Sequence, residues 1–300
     1  MNKKELIIGG AQLGYNYGSP KYNKKIKKAD VKKILLSAKH YGVSRIDTAS
    51  RYIDSEKDIG LFLLKNKKHK FKIFSKLENI KVKKIKKHIL TQRIYKNFSK
   101  TLESLNLKKL ECISVHNAQD FFFNKKVFLK CFNVLKQKKY IKGFGMSIYT
   151  PNELYKTLKI KNISYIQMPM NVLDNRWNIR KIKKIKKKTT KIYVRSIFLR
   201  GLLFLDDKYW PNWFKNKIKL KKKLSELIKK FKKKNIIDLT FSYLNSLDFV
   251  DGIIFGFNSI EQFNKIIKHR NSKKLDKTQV KILLKEFKFI DKKILDTRNY

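Results

Sequence analysis

The sequence predicts an α/β protein, a (β/α)8 barrel of the TIM type, folded as one domain over residues 1–300. Three observations predict it. Eight short runs rich in β-branched and aromatic residues alternate with longer stretches of helical periodicity. A hydrophobic fraction of 42%, with 13% aromatics, suffices for a large core. No Pro/Gly/Ser-rich linker and no internal repeat divides the chain. A doubly wound sheet is the alternative arrangement of the same units.

The first strand is expected at 5–8, ended by Gly9-Gly10. Asp30 caps a helix that carries Val31, Ile34, Leu35 and Ala38 on one face and runs toward Gly42. The second strand falls at 44–47, and Ser55-Glu56 opens the helix after it. Strands at 71–76, 110–116 and 141–147 follow. Thr150-Pro151-Asn152-Glu153 then opens a helix, with proline suited to its first turn. The sixth and seventh strands are expected at 164–167 and 192–196, but the eighth only at 252–255. Between the last two, residues 206–236 read as an inserted loop plus a helix from near Leu220 to Phe231. Tyr209, Trp210 and Trp213 in that loop either wall a ligand cleft or pack the loop onto the body. Ser259 with Gln262 resembles a capping box. A covering helix over 276–295 carries Val280, Leu283, Leu284, Phe287 and Ile290 on one face.

The formal net charge of +51 would ordinarily point to a polyanion. Only nine of the 74 basic residues are arginine, however, leaving 65 lysines. Reading of bases and phosphates favours the planar fork of arginine. The lysines are also dispersed, and in runs such as 81–87 and 181–188 they interleave with apolar residues at helical intervals. They read as solvated helix faces and as a compositional bias, so no specific nucleic-acid partner is expected. Two cysteines, Cys112 and Cys131, make neither a disulfide framework nor a multi-cysteine zinc site. No apolar run reaches the ~20 residues of a membrane span, and the run before Gly9 is too short for a signal peptide. A cytoplasmic, membrane-free protein is expected.

Several motifs are excluded. Gly9-Gly10-Ala11-Gln12-Leu13-Gly14 has no following Gly-Lys-Ser/Thr, and Gly143-Phe144-Gly145 lacks the third glycine of a dinucleotide fingerprint. The five histidines, His40, His69, His88, His116 and His269, show no metal spacing, so no metal is expected. What remains is positional. The second strand ends on Asp47, the third on Lys76 and the fourth on His116, and Tyr52 follows Asp47 closely. Neighbouring strands lie ~4.8 Å apart, so these groups converge on one rim. Their chemistry suits protonation of a carbonyl oxygen by Tyr52 while hydride reaches the carbon. Asp47 would hold Lys76 charged, the Lys76 ammonium would favour phenolate and lower the tyrosine pKa, and His116 would orient the substrate.

The segment Asp47-Thr48-Ala49-Ser50-Arg51-Tyr52-Ile53-Asp54-Ser55-Glu56 resembles the Asp-Thr-Ala-x-x-Tyr-Gly-x-Ser-Glu motif of the aldo-keto reductase superfamily, and Gly10-Ala11-Gln12-Leu13-Gly14 with Tyr17-Gly18 is similar to its bacterial branch. Phe74-Ser75-Lys76, Val115-His116-Asn117-Ala118-Gln119-Asp120, Gly143-Phe144-Gly145-Met146-Ser147 and Gln167-Met168-Pro169-Met170-Asn171 are similar to successive strand motifs of that superfamily. The resemblance implies catalytic roles for Asp47, Tyr52, Lys76 and His116. It places Ser147, Gln167 and Asn171 beside a nicotinamide. Arg195, Ser196, Phe198 and Gly201 would cover the cofactor, and Gly256, Ser259 and Gln262 would hold its adenosine side. It implies NADP(H), with NAD as the alternative, and a small aldehyde, ketone or sugar as substrate. Ile53 stands where the family usually has glycine, and Lys265 where it usually has glutamate. A nucleotide-binding regulatory barrel without turnover is the second reading.

Overall fold

The computed structural model describes residues 4–299 except 20, 22, 69 and 79–84. His69 and the lysines at 81, 83 and 84 therefore lie outside the described residues. Period-2 burial drives the strands. In β1 (Glu5–Gly9), Ile7 points into the barrel while Leu6 and Ile8 face the helices. The others are β2 (Arg45–Asp47), β3 (Lys72–Leu77), β4 (Leu110–Val115), β5 (Ile141–Ser147), β6 (Tyr165–Pro169), β7 (Lys191–Arg195) and β8 (Gly252–Phe255). All pair in parallel in sequence order, and β8 closes on β1 through Glu5–Gly252 and Leu6–Ile253, so the sheet is a closed barrel rather than a doubly wound layer.

Closure creates two apolar regions. The larger lies between the sheet and the surrounding helices. The smaller fills the barrel, where Ile7, Phe74, Cys112, Tyr193 and Ile254 pack with Tyr165. The rings of Phe74, Tyr165 and Tyr193 meet with centroids 5.0–5.6 Å apart. Gly252 makes room for them: a Cβ there would come within 2.9 Å of the Tyr193 ring. The inner ring layer plugs the barrel below its carboxyl-end rim, so the functional groups gather above it.

Several expected starts hold, for local reasons. Thr150 and Glu153 form a reciprocal capping box at the helix Pro151–Leu158. Ser259 Oγ accepts from Gln262 N at the helix Ile260–Ile267, but Gln262 Oε1 returns its bond to Asn258 N, so only half of the box forms. Asp30 is not a cap. The helix Lys28–His40 begins two residues earlier behind Lys27, and Asp30 sits in its first turn, where a carboxylate complements the dipole.

Between β7 and β8 lie the short turn Asp207–Tyr209, the helix Lys217–Lys230 and a second helix, Ile236–Ser246, which the sequence reading did not anticipate. Eight of the eleven residues of that second helix are buried, so it shows no amphipathic stripe. The expected single helix over 276–295 is two, Lys277–Glu286 and Lys292–Leu295. Asp276 caps the first through a capping box and Asp291 caps the second. The break falls between them, where Phe289 is 90% exposed although Phe287 is buried and Ile290 packs against the core. No described helix is long and apolar enough to cross a membrane.

Candidate active site

A cavity of about 380 Å³ opens at the carboxyl-end rim of the barrel. Asp47, Tyr52, Lys76 and His116 all line it. The strand register sets the convergence: Asp47 ends β2 beside β3, Lys76 lies in β3 beside β4, and His116 is the first residue beyond β4. Tyr52 is placed by the turn between β2 and the helix Ser55–Lys65. Thr48 N donates to Phe74 O, Ser50 N to Lys76 O and Tyr52 N to Ala49 O. Gly14 presses on the same turn, where a Cβ would overlap Tyr52 O at 1.8 Å. Ser55 Oγ donates to Gly10 O at 2.8 Å. The β1 loop thus clamps the tyrosine from below.

Lys76 is fully buried, and its Nζ donates to Asp47 Oδ2 at 2.6 Å and to Thr48 O at 2.9 Å. The other Asp47 oxygen accepts from Gln167 Nε2 at 2.6 Å. Lys76 Nζ lies 5.3 Å from the Tyr52 ring centre, and the His116 ring meets the Tyr52 ring edge-on at 5.9 Å. Tyr15 stacks on Tyr52 at 5.7 Å. Breaking a buried ion pair by removing one partner typically costs ~3–5 kcal/mol, so Asp47 and Lys76 stand or fall together.

The electrostatics correct one expectation. The phenol of Tyr52 is not lowered but held well above its ordinary value, by burial first and then by Asp47, Tyr17 and Tyr15. Lys76 itself is lowered, burial outweighing the attraction of Asp47. His116 is held well below its ordinary value by burial, with Lys76, Arg51 and Arg195 adding to the effect. The site therefore presents a protonated phenol and a neutral imidazole, two hydrogen-bond donors around one point.

Of the residues expected along a cofactor, Ser147, Arg195, Ser196, Phe198, Gly201, Gly256 and Gln262 line the cavity, while Gln167, Asn171 and Ser259 do not. Arg195 donates to Ser147 Oγ and Ile148 O and stands 4.3 Å from the Tyr149 ring centre. Ser196, Leu199, Arg200 and Gly201 all take positive φ, which bends the chain after β7 over the opening. Asn171 Oδ1 accepts from Leu173 N. Asn171 Nδ2, Gln167 Oε1 and His116 Nδ1 are buried polar atoms without a partner among the described residues. Gly256 faces open space, its nearest neighbour beyond a Cβ being Gln12 Oε1 at 3.6 Å.

The sequence reading gave no site role to Tyr15, Tyr17, Arg51, Tyr149, Thr297 and Arg298, which also line the cavity. Nothing in their local pattern marks them, because loops and the C-terminal segment bring them in. Tyr209, Trp210 and Trp213 stay outside it. Trp210 is buried in the core cluster with Tyr209 packed against it, so these two pack the insertion onto the body, while Trp213 is 40% exposed. Among the described residues, no group of three or more His, Cys, Asp or Glu could hold a metal ion.

No curated protein matches the sequence. Among solved structures, the fold is similar to the aldo-keto reductase AKR11C1 from Bacillus halodurans. Against its holo form the TM-score is 0.74 at 19% identity, over 96% of this chain and 93% of that one. Against the apo form the TM-score is 0.67 at 18% identity, over 91% of each chain. At such identities the likeness speaks for the fold. The family model for "Aldo/keto reductase family" matches residues 5–285, nearly the whole chain, and by that match the protein belongs to the aldo/keto reductase family.

Proposed function

We propose that the protein is an NADP(H)-dependent oxidoreductase that interconverts a carbonyl compound, an aldehyde, ketone or sugar, with its alcohol, using Tyr52 as general acid and base. The observation that carries this reading is the buried Lys76–Asp47 pair lying beneath the Tyr52 ring with His116 at its edge.

The residues fit a nicotinamide dinucleotide. Gln167 Oε1 and Asn171 Nδ2 are buried polar atoms without partners, Gly256 leaves open space where a side chain would intrude, and Ser147, Arg195, Ser196 and Gln262 share the cavity wall. Ser259 and the N-terminal amides of the helix Ile260–Ile267 would take a 2′-phosphate, which favours NADP over NAD. When bound, the reduced cofactor supplies hydride to the carbonyl carbon. The protein's own groups manage the proton. The carbonyl π pair moves onto oxygen, and that oxygen takes the proton of Tyr52 Oη, leaving an alcohol and a phenolate. His116, neutral, donates a hydrogen bond to the same oxygen and fixes its approach. Lys76 lies close enough to stabilise the phenolate as it forms, and Asp47 keeps Lys76 in place.

Tyr52→Phe and Lys76→Met test the assignment. Tyr52→Phe should lower kcat by ~10²–10⁴-fold in an NADPH assay across an aldehyde, ketone and sugar panel, with cofactor affinity close to wild type. In alcohol oxidation Tyr52 must first ionise, so activity should rise with pH. Lys76→Met leaves the Asp47 charge unopposed, raises the phenol further and moves that rising limb to higher pH. A Tyr52→Phe rate within about threefold of wild type would remove the tyrosine from the acid role. Tight cofactor binding with no turnover of any carbonyl would return the regulatory barrel to the front.

A further inference from the structure

Arginine is scarce in this chain and crowded at one place. Nine residues of the sequence are arginine against 65 lysines. Among the described residues, the cavity wall carries four of the nine, Arg51, Arg195, Arg200 and Arg298, with a single lysine, Lys76. A composition that favours lysine everywhere else does not account for an inverted ratio in one cleft.

Carboxylates on the cavity wall are fewer than these cations. Among the described lining residues Asp47 is the one acid, and it is bound to Lys76. Arg298 is held by a forked pair with Asp296. Arg51 and Arg195 have no carboxylate within ion-pair distance among the described residues. Arg195 and Arg200 belong to the segment after β7, on the side read as the cofactor's. Arg51 comes from a different element, the turn between β2 and the helix Ser55–Lys65, directly before the acid Tyr52. It is exposed, and its charge is felt at His116 and Tyr15. Arg298 enters from the C-terminal segment with its guanidinium carbon 3.9 Å from the Tyr149 ring centre, on the same ring that Arg195 covers at 4.3 Å. Asp296 takes the Nε and NH2 edge of Arg298, which leaves NH1 as its donor group for an oxyanion, whereas the fork of Arg51 has no carboxylate on it among the described residues.

We propose that the substrate of this site is an anionic carbonyl compound, an aldehyde, ketone or sugar bearing a carboxylate or phosphate, whose anionic group is gripped by Arg51 with Arg298 as second contact. This rests on the reductase reading above and deepens it. A fixed distance between the anion and the reacting carbonyl would then present the carbonyl oxygen to Tyr52 and His116. A neutral analogue would forfeit the grip and bind in many poses. The general positive charge of the surface attracts anions to the whole molecule but is screened by salt, whereas a forked contact inside the cleft is screened far less.

Matched pairs of substrates separate the possibilities, measured with NADPH at about 0.3 M salt. Succinic semialdehyde against butyraldehyde tests carboxylate, and glyceraldehyde 3-phosphate against glyceraldehyde tests phosphate. The expected result is a kcat/KM at least ~100-fold higher for the charged member of one pair, expressed mainly in KM, and the preferred pair identifies the anion. Arg51→Met should bring that ratio to within about fivefold of unity. Arg51→Lys should restore part of it, because an ammonium supplies charge without the fork. Arg298→Met should lower the ratio less. Equal rates within both pairs in the wild type, or a ratio that survives Arg51→Met, would overturn the proposal. Should no carbonyl be turned over at all, the reductase reading fails, and calorimetric titration of succinate and inorganic phosphate at the same salt decides the anion site alone. Binding lost in Arg51→Met upholds it, and equal heats for wild type and variant overturn it.

Discussion

Ile53 follows the proposed acid and holds φ at 47°, in the left-handed region, with 70% of its surface exposed. A β-branched residue there is strained by ~1–2 kcal/mol, and its exposed side chain regains little by packing. Glycine would relieve the strain while adding ~0.5–1 kcal/mol of chain entropy to the unfolded state. Ile53→Gly should therefore stabilise the protein by about 1 kcal/mol, read as a higher urea midpoint at unchanged slope. A lower midpoint would mean that the turn is not strained. At this scale the sequence was legible where chemistry sits at strand ends. Asp47, Lys76 and His116 follow from the strand pattern alone, and Tyr52 from its distance to Asp47. The site roles of Arg51, Tyr149 and Arg298 were not legible, because separate loops and the C-terminal segment bring them to one cavity, and no local spacing encodes that. The pKa of Tyr52 was misjudged for a related reason. The sequence shows that Lys76 and Asp47 lie near Tyr52, but not that the phenol is buried deeply enough for desolvation to dominate.

Between elements, the contact of the helix Ser55–Lys65 with β3 turns on a buried acid. Glu56 accepts from Ser75 Oγ, and burial pushes its carboxyl up to about 7 from an ordinary 4.5, against the hydrogen bond of Ser75. Between those two values the folded protein keeps a proton that the unfolded chain has released. Stability should accordingly fall as pH rises from about 4.5 to 7, by ~3 kcal/mol in total. Glu56→Gln stays neutral throughout. Its advantage over wild type in denaturant midpoint should grow from near zero at pH 4.5 to its full size above pH 7, and a constant difference would show that Glu56 is ionised in the fold. Element boundaries were read well where a side chain caps them, as at Thr150 and Ser259. They were read poorly where the signal is tertiary. Ile236–Ser246 is buried on most sides and rich in residues that also favour strands, so periodicity had nothing to report. The break after Glu286 is followed by a new start at the Asp291 cap, which a continuous apolar stripe conceals.

For the whole molecule, a closed barrel leaves no unpaired strand edge, and its helices carry the lysines outward. The net charge of +51 then behaves as a shell. Binding to a random DNA duplex, followed by fluorescence anisotropy, should be appreciable near 50 mM salt and fall by ~10³-fold or more by 200 mM, without sequence preference. Sequence-dependent binding that persists at higher salt would give the charge a specific role. The division of cations between shell and cleft also bears on the reactivity of the molecule. Among the described residues the cleft's positive charge is guanidinium except for Lys76, whose amine is 0% exposed and bound to Asp47. An amine-selective acylating reagent would therefore consume the outer lysines and erase most of the shell's field while leaving the cleft's donors intact. Covalent labelling thus offers a single preparation in which long-range attraction is switched off and the local grip on a ligand is retained.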